Sequence, residues 1–256
     1  MYRGARLVAS VNDCSRVVLQ MPRGNLESFE PRSLLLVEAR RQLEQGALYE
    51  CLLKLRRQRI DLNLLVDFNY QLFLSSANTL VSKCLQENAE LLSLLISSLE
   101  NGNVALKKYG YILYRDGDLG PHNDGFFKDK INIVCSALRA DLMSELEAGK
   151  TNAMNPILCS FAKQVPPQLE SALQLINKVL VQEDHRDLNG SKVSGALKYL
   201  SFLVDNEILF RAALGECDFG MCRAIARQSQ MDPKVLYSLL LSPTTLRASH
   251  SITSLC

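Results

Sequence analysis

The sequence predicts an all-α chain, an irregular α-solenoid of helical hairpins with a β-hairpin at its N-terminal end. Three observations carry that expectation. Apolar residues recur at helical spacing through most of the chain from about residue 31 onward. Connections between these stretches are short and polar or contain Pro, as in Val165-Pro166-Pro167. The first 23 residues differ: two runs rich in β-branched side chains, Arg6 to Val11 and Arg16 to Met21, flank the polar turn Asn12-Asp13-Cys14-Ser15.

Residues 1–23 therefore read as one hairpin. An isolated hairpin is marginal in water, and no later segment offers obvious strands, so the hairpin is expected to complete a β domain lying upstream. After Met21-Pro22-Arg23-Gly24-Asn25 the apolar period changes from two to 3.6. A first helix has Pro31 just inside its start, carries Leu34 to Val37 and Leu43, and ends at Gly46. The next places Leu48, Cys51, Leu52 and Leu55 on one face and turns Glu50, Lys54, Arg57 and Gln58 elsewhere, so the two form an antiparallel hairpin.

Further helices are expected around Gln71 to Leu85 and Asn88 to Leu99, then in a long element whose stripe is Phe127, Ile131, Val134, Cys135, Leu138 and Leu142. Others follow at about 153–164, 167–182, 192–204, 206–214 and 218–229. The Gly, Asn and Asp-rich stretch 101–126 reads as a long loop, with a short strand over Tyr109 to Tyr114. The solenoid spans 24–242, and the Ser and Thr-rich residues 243–256 read as a disordered tail. No fixed-period repeat is present, so a consensus tetratricopeptide, ankyrin or HEAT array is not indicated.

Composition narrows function mainly by exclusion. With 256 residues, 47% of them hydrophobic, the chain can bury a sizeable core. Twenty-nine Lys and Arg against 27 Asp and Glu give a net charge of +2, without the dense basic footprint of a dedicated nucleic-acid binder. The eight cysteines are scattered, several at apolar positions of helices, and read as reduced structural thiols. The stretch Leu7-Val8-Ala9-Ser10-Val11 is too short for a signal-peptide core and no run approaches a membrane span. A cytoplasmic protein is expected, with the nucleus as a second compartment.

Catalytic constellations are not legible. His122, His185 and His250 fall in expected loops or the tail, without a nucleophile-elbow pattern. Cys217 and Cys222 are five apart, which suits burial in a helix face better than zinc ligation. Asp116-Gly117-Asp118-Leu119-Gly120-Pro121 resembles the start of a calcium loop, but the twelfth position is Phe127 where a bidentate Glu is needed. The glycines at 102, 110, 117, 120 and 125 lack nucleotide-site spacing. No catalytic residue, metal or cofactor is assigned. Lys54, Arg56, Arg57 and Arg59 form a basic cluster that could meet RNA phosphates, although such charges also serve as the solvated face of a helix.

Ordered motifs add a family resemblance. Val17-Val18-Leu19-Gln20-Met21-Pro22-Arg23-Gly24-Asn25-Leu26-Glu27, followed by Pro31-Arg32, resembles the point where the largest subunit of the Elongator complex, the IKAP family, leaves its second β-propeller for its helical region. The resemblance continues in Leu55-Arg56-Arg57-Gln58-Arg59-Ile60-Asp61-Leu62-Asn63-Leu64, Asp67-Phe68-Asn69 and Phe73-Leu74. Later come Tyr114-Arg115-Asp116, Lys130-Ile131, Val134-Cys135-Ser136-Ala137-Leu138-Arg139, Ala196-Leu197-Lys198-Tyr199-Leu200 and Phe202-Leu203-Val204-Asp205. Gly215, Asp218-Phe219 and Gln230-Met231-Asp232-Pro233-Lys234 complete a match over about residues 3–234. After Lys234 the family's usual Glu-Tyr-Leu-Pro-Phe-Leu type of motif is replaced by Val235-Leu236-Tyr237-Ser238-Leu239-Leu240-Leu241.

The resemblance implies that residues 1–23 are closing strands of a WD40-type propeller and that 24–242 begin an α-solenoid. It also implies a non-catalytic scaffold in a complex that modifies tRNA wobble uridines to carboxymethyluridine-type products. Its partners would be the catalytic radical-SAM and acetyltransferase subunit and the second propeller subunit, with tRNA met at most indirectly. The family's dimerisation repeats and basic tRNA-binding segment fall outside the matched stretch. Two other readings stand beside it: a direct RNA-binding helical module using Lys54, Arg56, Arg57 and Arg59, and a truncated product without independent function.

Overall fold

In the computed structural model, residues 4–11, 15–114, 124–182 and 191–229 are described. The three histidines, the Asp116 loop and the tail 243–256 lie outside them. The chain divides into two compact units, Met1–Ala137 and Leu138–Cys256. Fourteen α-helices among the described residues make the chain all-α apart from one small sheet.

Unit 1 opens with strands β1 (Arg6–Val11), β2 (Arg16–Gln20) and β3 (Leu26–Phe29), paired in that order. The expected hairpin is there, with Leu7 opposite Leu19 and Ser10 opposite Val17. The third strand corrects the expectation that strands stop at residue 23: Val17 faces Phe29 and Gln20 faces Leu26. Its cause is a reversal at Pro22-Arg23-Gly24. Gly24 takes φ +90° and donates its N–H to the Met21 carbonyl at 2.8 Å, while the Met21 N–H donates to the Asn25 carbonyl at 2.8 Å. Pro presets the turn and Gly takes the left-handed position that closes it. Most side chains of the sheet are exposed, including Leu7, Val8, Leu26 and Phe29.

The helices of unit 1 are α1 (Arg32–Glu44), α2 (Leu48–Arg57), α3 (Asn63–Asp67), α4 (Tyr70–Ser75), α5 (Ala77–Glu87), α6 (Glu90–Ser98), α7 (Val104–Leu113) and α8 (Asp124–Lys128). Helix α9 (Lys130–Glu147) runs across the boundary between the units. The expected α1–α2 hairpin forms, and Leu48, Cys51, Leu52 and Leu55 are all buried. Burying each such leucine contributes roughly 1.5–3 kcal/mol.

Four expectations are corrected here. The helix drawn over 71–85 is two, α4 and α5, interrupted at Ser76, whose N–H reaches both the Leu72 and Phe73 carbonyls. Phe127 belongs to α8 rather than to the α9 stripe, and docks with Phe126 against Tyr70, whose ring stacks on Phe126 at 4.3 Å. Helix α3 is an addition; all five of its residues are buried, so no amphipathic period announces it. Within the described part of the loop expected over 101–126, residues 104–113 form α7, and the strand expected at 109–114 is helix up to Leu113. Tyr109, Tyr111 and Ile112 favour strand locally, but two caps at the start of α7 override them. Asn103 Oδ1 accepts the Leu106 N–H at 2.8 Å, and the carboxylate of distant Asp67 accepts those of Val104 and Ala105.

Unit 2 contains α10 (Met154–Lys163), α11 (Leu169–Gln182), α12 (Ser191–Leu203), α13 (Asn206–Gly215) and α14 (Phe219–Ser229). Helix α10 packs on α11 and α12, α11 on α12 and α13, and α14 on α12 and α13. Contact with the next helix and the next but one is the pattern of stacked helical hairpins. Asp218 joins two of these helices: its Oδ1 accepts the Met221 N–H at 2.9 Å at the start of α14, and its Oδ2 accepts from Asn177 of α11. No described helix is long and apolar enough to cross a membrane.

Four helices stop in the same way. After α1, α2, α9 and α13 the chain enters the left-handed region at Gly46, Arg59, Gly149 and Cys217, and the following N–H reaches back across the last turn, as from Ile60 to the Leu55 carbonyl at 2.9 Å. Cys217 thus lies in a turn at φ +56°, not on a helix face as expected, whereas Cys222 is buried in α14. Because a side chain at this position is strained, Cys217→Gly should stabilise unit 2 by about 0.5–1 kcal/mol, the strain relieved exceeding the added unfolded-state entropy. An unchanged or lowered urea midpoint would contradict this.

Candidate functional site: a buried ion pair and an exposed basic turn

The most elaborate polar arrangement of unit 1 is built on α3. Asp67 and Lys130 are fully buried, 0% exposed each, and their Oδ1 and Nζ atoms lie 2.8 Å apart. Lys130 Nζ also donates to Asn63 Oδ1 at 3.0 Å and to the Gly102 carbonyl at 2.9 Å. Asp67 Oδ2 accepts the N–H groups of Val104 at 2.7 Å and Ala105 at 3.2 Å.

Asn63 completes the network. Its Nδ2 donates to Asp61 Oδ1 and to the Ser98 carbonyl, both at 2.9 Å, while its Oδ1 also accepts the Glu100 N–H at 3.0 Å. Lys108 closes the outer side on Asp61 Oδ2. One node therefore ties α3 to the end of α6, the start of α7 and the first residue of α9. Close by, the Gly102 N–H donates to the Phe127 carbonyl at 2.7 Å, and the Ile131 N–H to Asn101 Oδ1 at 3.2 Å.

The geometry specifies an ionised pair. Three acceptors surround Nζ, which only an ammonium can satisfy with three N–H bonds, and both Asp67 oxygens accept from donors. Burial pushes the Asp67 carboxyl up and the Lys130 ammonium down from their ordinary values, against the attraction between them. At Asp61 burial also works upward, but hydrogen bonds from Lys108 and Asn63 outweigh it and leave the carboxyl below its ordinary value. With every polar atom partnered by protein, this arrangement holds helices in place and offers no group for chemistry.

The basic cluster divides. Lys54 leans back onto α1, 3.8 Å from Glu38, whose carboxylate also takes two bonds at 3.0 Å from Arg41. Arg56, Arg57 and Arg59 are exposed and make no ion pair among the described residues. Arg56 and Arg57 lie in the last turn of α2, where cations favour the helix dipole, and Arg59 takes φ +53° just beyond it.

Four of the buried thiols are poorly suited to act as nucleophiles. Burial pushes Cys51 and Cys84 up to about 12, and Cys159 and Cys222 up to about 11, so all four stay protonated at neutral pH. Among the described residues no group of three or more His, Cys, Asp or Glu is placed to hold a metal ion. None of the node residues stands out as a site in the sequence; Asp61, Asn63, Asp67 and Lys130 appear there only within the motifs of the family resemblance.

Comparison with known proteins accounts for those motifs. The family model described as ELP1 alpha-solenoid matches residues 32–241, starting just after β3 and extending past Lys234, where the sequence motifs had diverged. Elongator complex protein 1 of Mus musculus is 33% identical over 238 residues, covering 91% of this chain and 17% of that protein. The proteins of the same name from Schizosaccharomyces pombe and Saccharomyces cerevisiae are 32% and 29% identical over 91% of this chain, and 17% and 18% of their own lengths are covered. The chain thus spans less than a fifth of the length of the curated relatives it matches. With most of its length matched by one family model, this chain belongs to the ELP1 α-solenoid family.

Proposed function

We propose that this chain acts as a non-catalytic scaffold piece of an Elongator-like assembly that modifies tRNA wobble uridines, presenting helical surfaces to the other subunits. The observation that carries this reading is the ELP1 alpha-solenoid match over residues 32–241. The buried node supports it, because its polar groups are spent on holding helices together. In this reading the solenoid starts at α1, not at residue 24 as expected from the sequence, and extends to about residue 242, and the sheet of residues 6–29 is the end of a propeller. The partners are the catalytic radical-SAM and acetyltransferase subunit and the second propeller subunit, in the cytoplasm.

A pull-down of this 256-residue chain with those two subunits, beside a full-length relative, tests the reading. Capture of either subunit by the short chain is the expected result. Capture by the full-length relative alone would overturn the claim that this stretch carries a partner surface.

A second reading, direct RNA contact, is favoured by one observation: Arg56, Arg57 and Arg59 are exposed and unpaired among the described residues. Under it, reversing all three charges should lower the slope of log affinity for tRNA against log salt by about 2–3. Under the scaffold reading the same variant leaves tRNA affinity unchanged.

A further inference from the structure

Helix α7 is held differently from its neighbours. Of its ten residues only Val104, Ala105 and Leu113 are buried, two in the first turn and one at the last position. Helix α2, of equal length, buries five residues, and the nine-residue α6 buries four. The middle of α7 instead carries exposed Lys107 and Lys108, then Gly110 and Tyr111, which is 84% exposed. A helix of this length is marginal on its own, and an interior Gly lowers its propensity further.

Its two ends are clamped by charged side chains from far along the chain. At the N-terminus the Asp67 carboxylate, held by Lys130, takes the N–H groups of Val104 and Ala105. At the C-terminus Arg40 Nη1 of α1 donates to the Leu113 carbonyl at 2.8 Å, while its Nε is held by Glu44 at 2.7 Å. Between these clamps α7 lies across α1 and α3, and its mid-helix ion pair, from Lys108 to Asp61, is half exposed on the lysine side.

We propose that α7 is a detachable strap, a helix clamped at its ends that opens as a unit from α1 and α3 while the rest of unit 1 stays folded. Opening breaks the two end clamps and the exposed Lys108–Asp61 ion pair between them, and it exposes the surfaces of α1 and α3 beneath. Elements with few buried apolar contacts are the ones that open below the global unfolding limit.

Amide hydrogen exchange on the full 256-residue chain tests this. In the unmodified protein the amides of α7 should exchange faster than those of α2 and α6. Arg40→Gln removes one clamp and should accelerate exchange in α7 by roughly tenfold to a hundredfold, leaving α2 and α6 unchanged. Gly110→Ala should act oppositely, slowing α7 exchange by about fivefold. The added Cβ meets only the Leu106 side chain, Cδ1 at 3.2 Å and Cγ at 3.9 Å, and that half-buried side chain can rotate. Protection in α7 that equals that of α2 and α6, or that follows them in both variants, would overturn the proposal.

Discussion

Lys130→Met should destabilise unit 1 by about 3–5 kcal/mol, the range for removing one partner of a buried ion pair. The loss follows from what remains: Asp67, fully buried, would keep only the two backbone N–H groups at the start of α7. Asp67→Leu should be comparably damaging, since it strips those N–H groups of their acceptor and leaves the ammonium buried. The double variant should cost clearly less than the two single losses summed, because neither charge is then stranded. Urea denaturation followed by circular dichroism gives all three values, and strict additivity would mean that the pair is not coupled.

The single variant also carries a signed pH dependence. Burial already pushes the Asp67 carboxyl up, and without Lys130 nothing but hydrogen bonds opposes that push. A carboxyl whose folded pKa exceeds its unfolded one contributes stability that is complete below the unfolded pKa and is lost as pH rises through the folded pKa. The deficit of Lys130→Met relative to the native chain should therefore be smaller at pH 5 than at pH 8. A deficit that grows on acidification would contradict an uncompensated Asp67.

Alkaline pH should unfold this protein unusually readily. Burial raises Cys51 and Cys84 from 9.0 to about 12, and Cys159 from 9.0 to about 11. These groups favour the folded state fully below pH 9, and their contribution is lost as pH rises through 11 and 12. Each withdraws up to about 1.4 kcal/mol per pH unit in that window, against a typical domain stability of about 5–15 kcal/mol. A urea midpoint that falls steeply between pH 8 and pH 10.5 is the expected result. A flat midpoint would mean that these thiols are not buried as described.

The sequence showed more of the fold than of the site. Helices α2 and α10–α14 carry regular apolar stripes, and α1 ends at a glycine, so their positions follow from period and punctuation. Helix α3 does not, because Asn63 and Asp67 are as buried as Leu64, Leu65 and Val66, and a helix buried all round has no polar face to reveal its period. For α7 the decisive cap comes from Asp67, 37 residues before Val104, where local propensity cannot see it. The node was hidden for the same reason. Lys130 reads as an ordinary charged residue until folding brings it to acceptors at 63, 67 and 102. The basic cluster was legible as composition, but not its division, since Glu38 claims Lys54 from another helix.

Vectorial synthesis gives the node one further consequence. Asp67 leaves the ribosome 63 residues before Lys130, an interval of roughly 3–13 s at about 5–20 residues per second. Through that interval the Asp67 carboxylate lacks its cation, and the Val104 and Ala105 N–H groups are the first of its native partners to be made. Emergence of residue 130 supplies that cation, so the buried pair of unit 1 can be completed only after the first residue of α9 has been made.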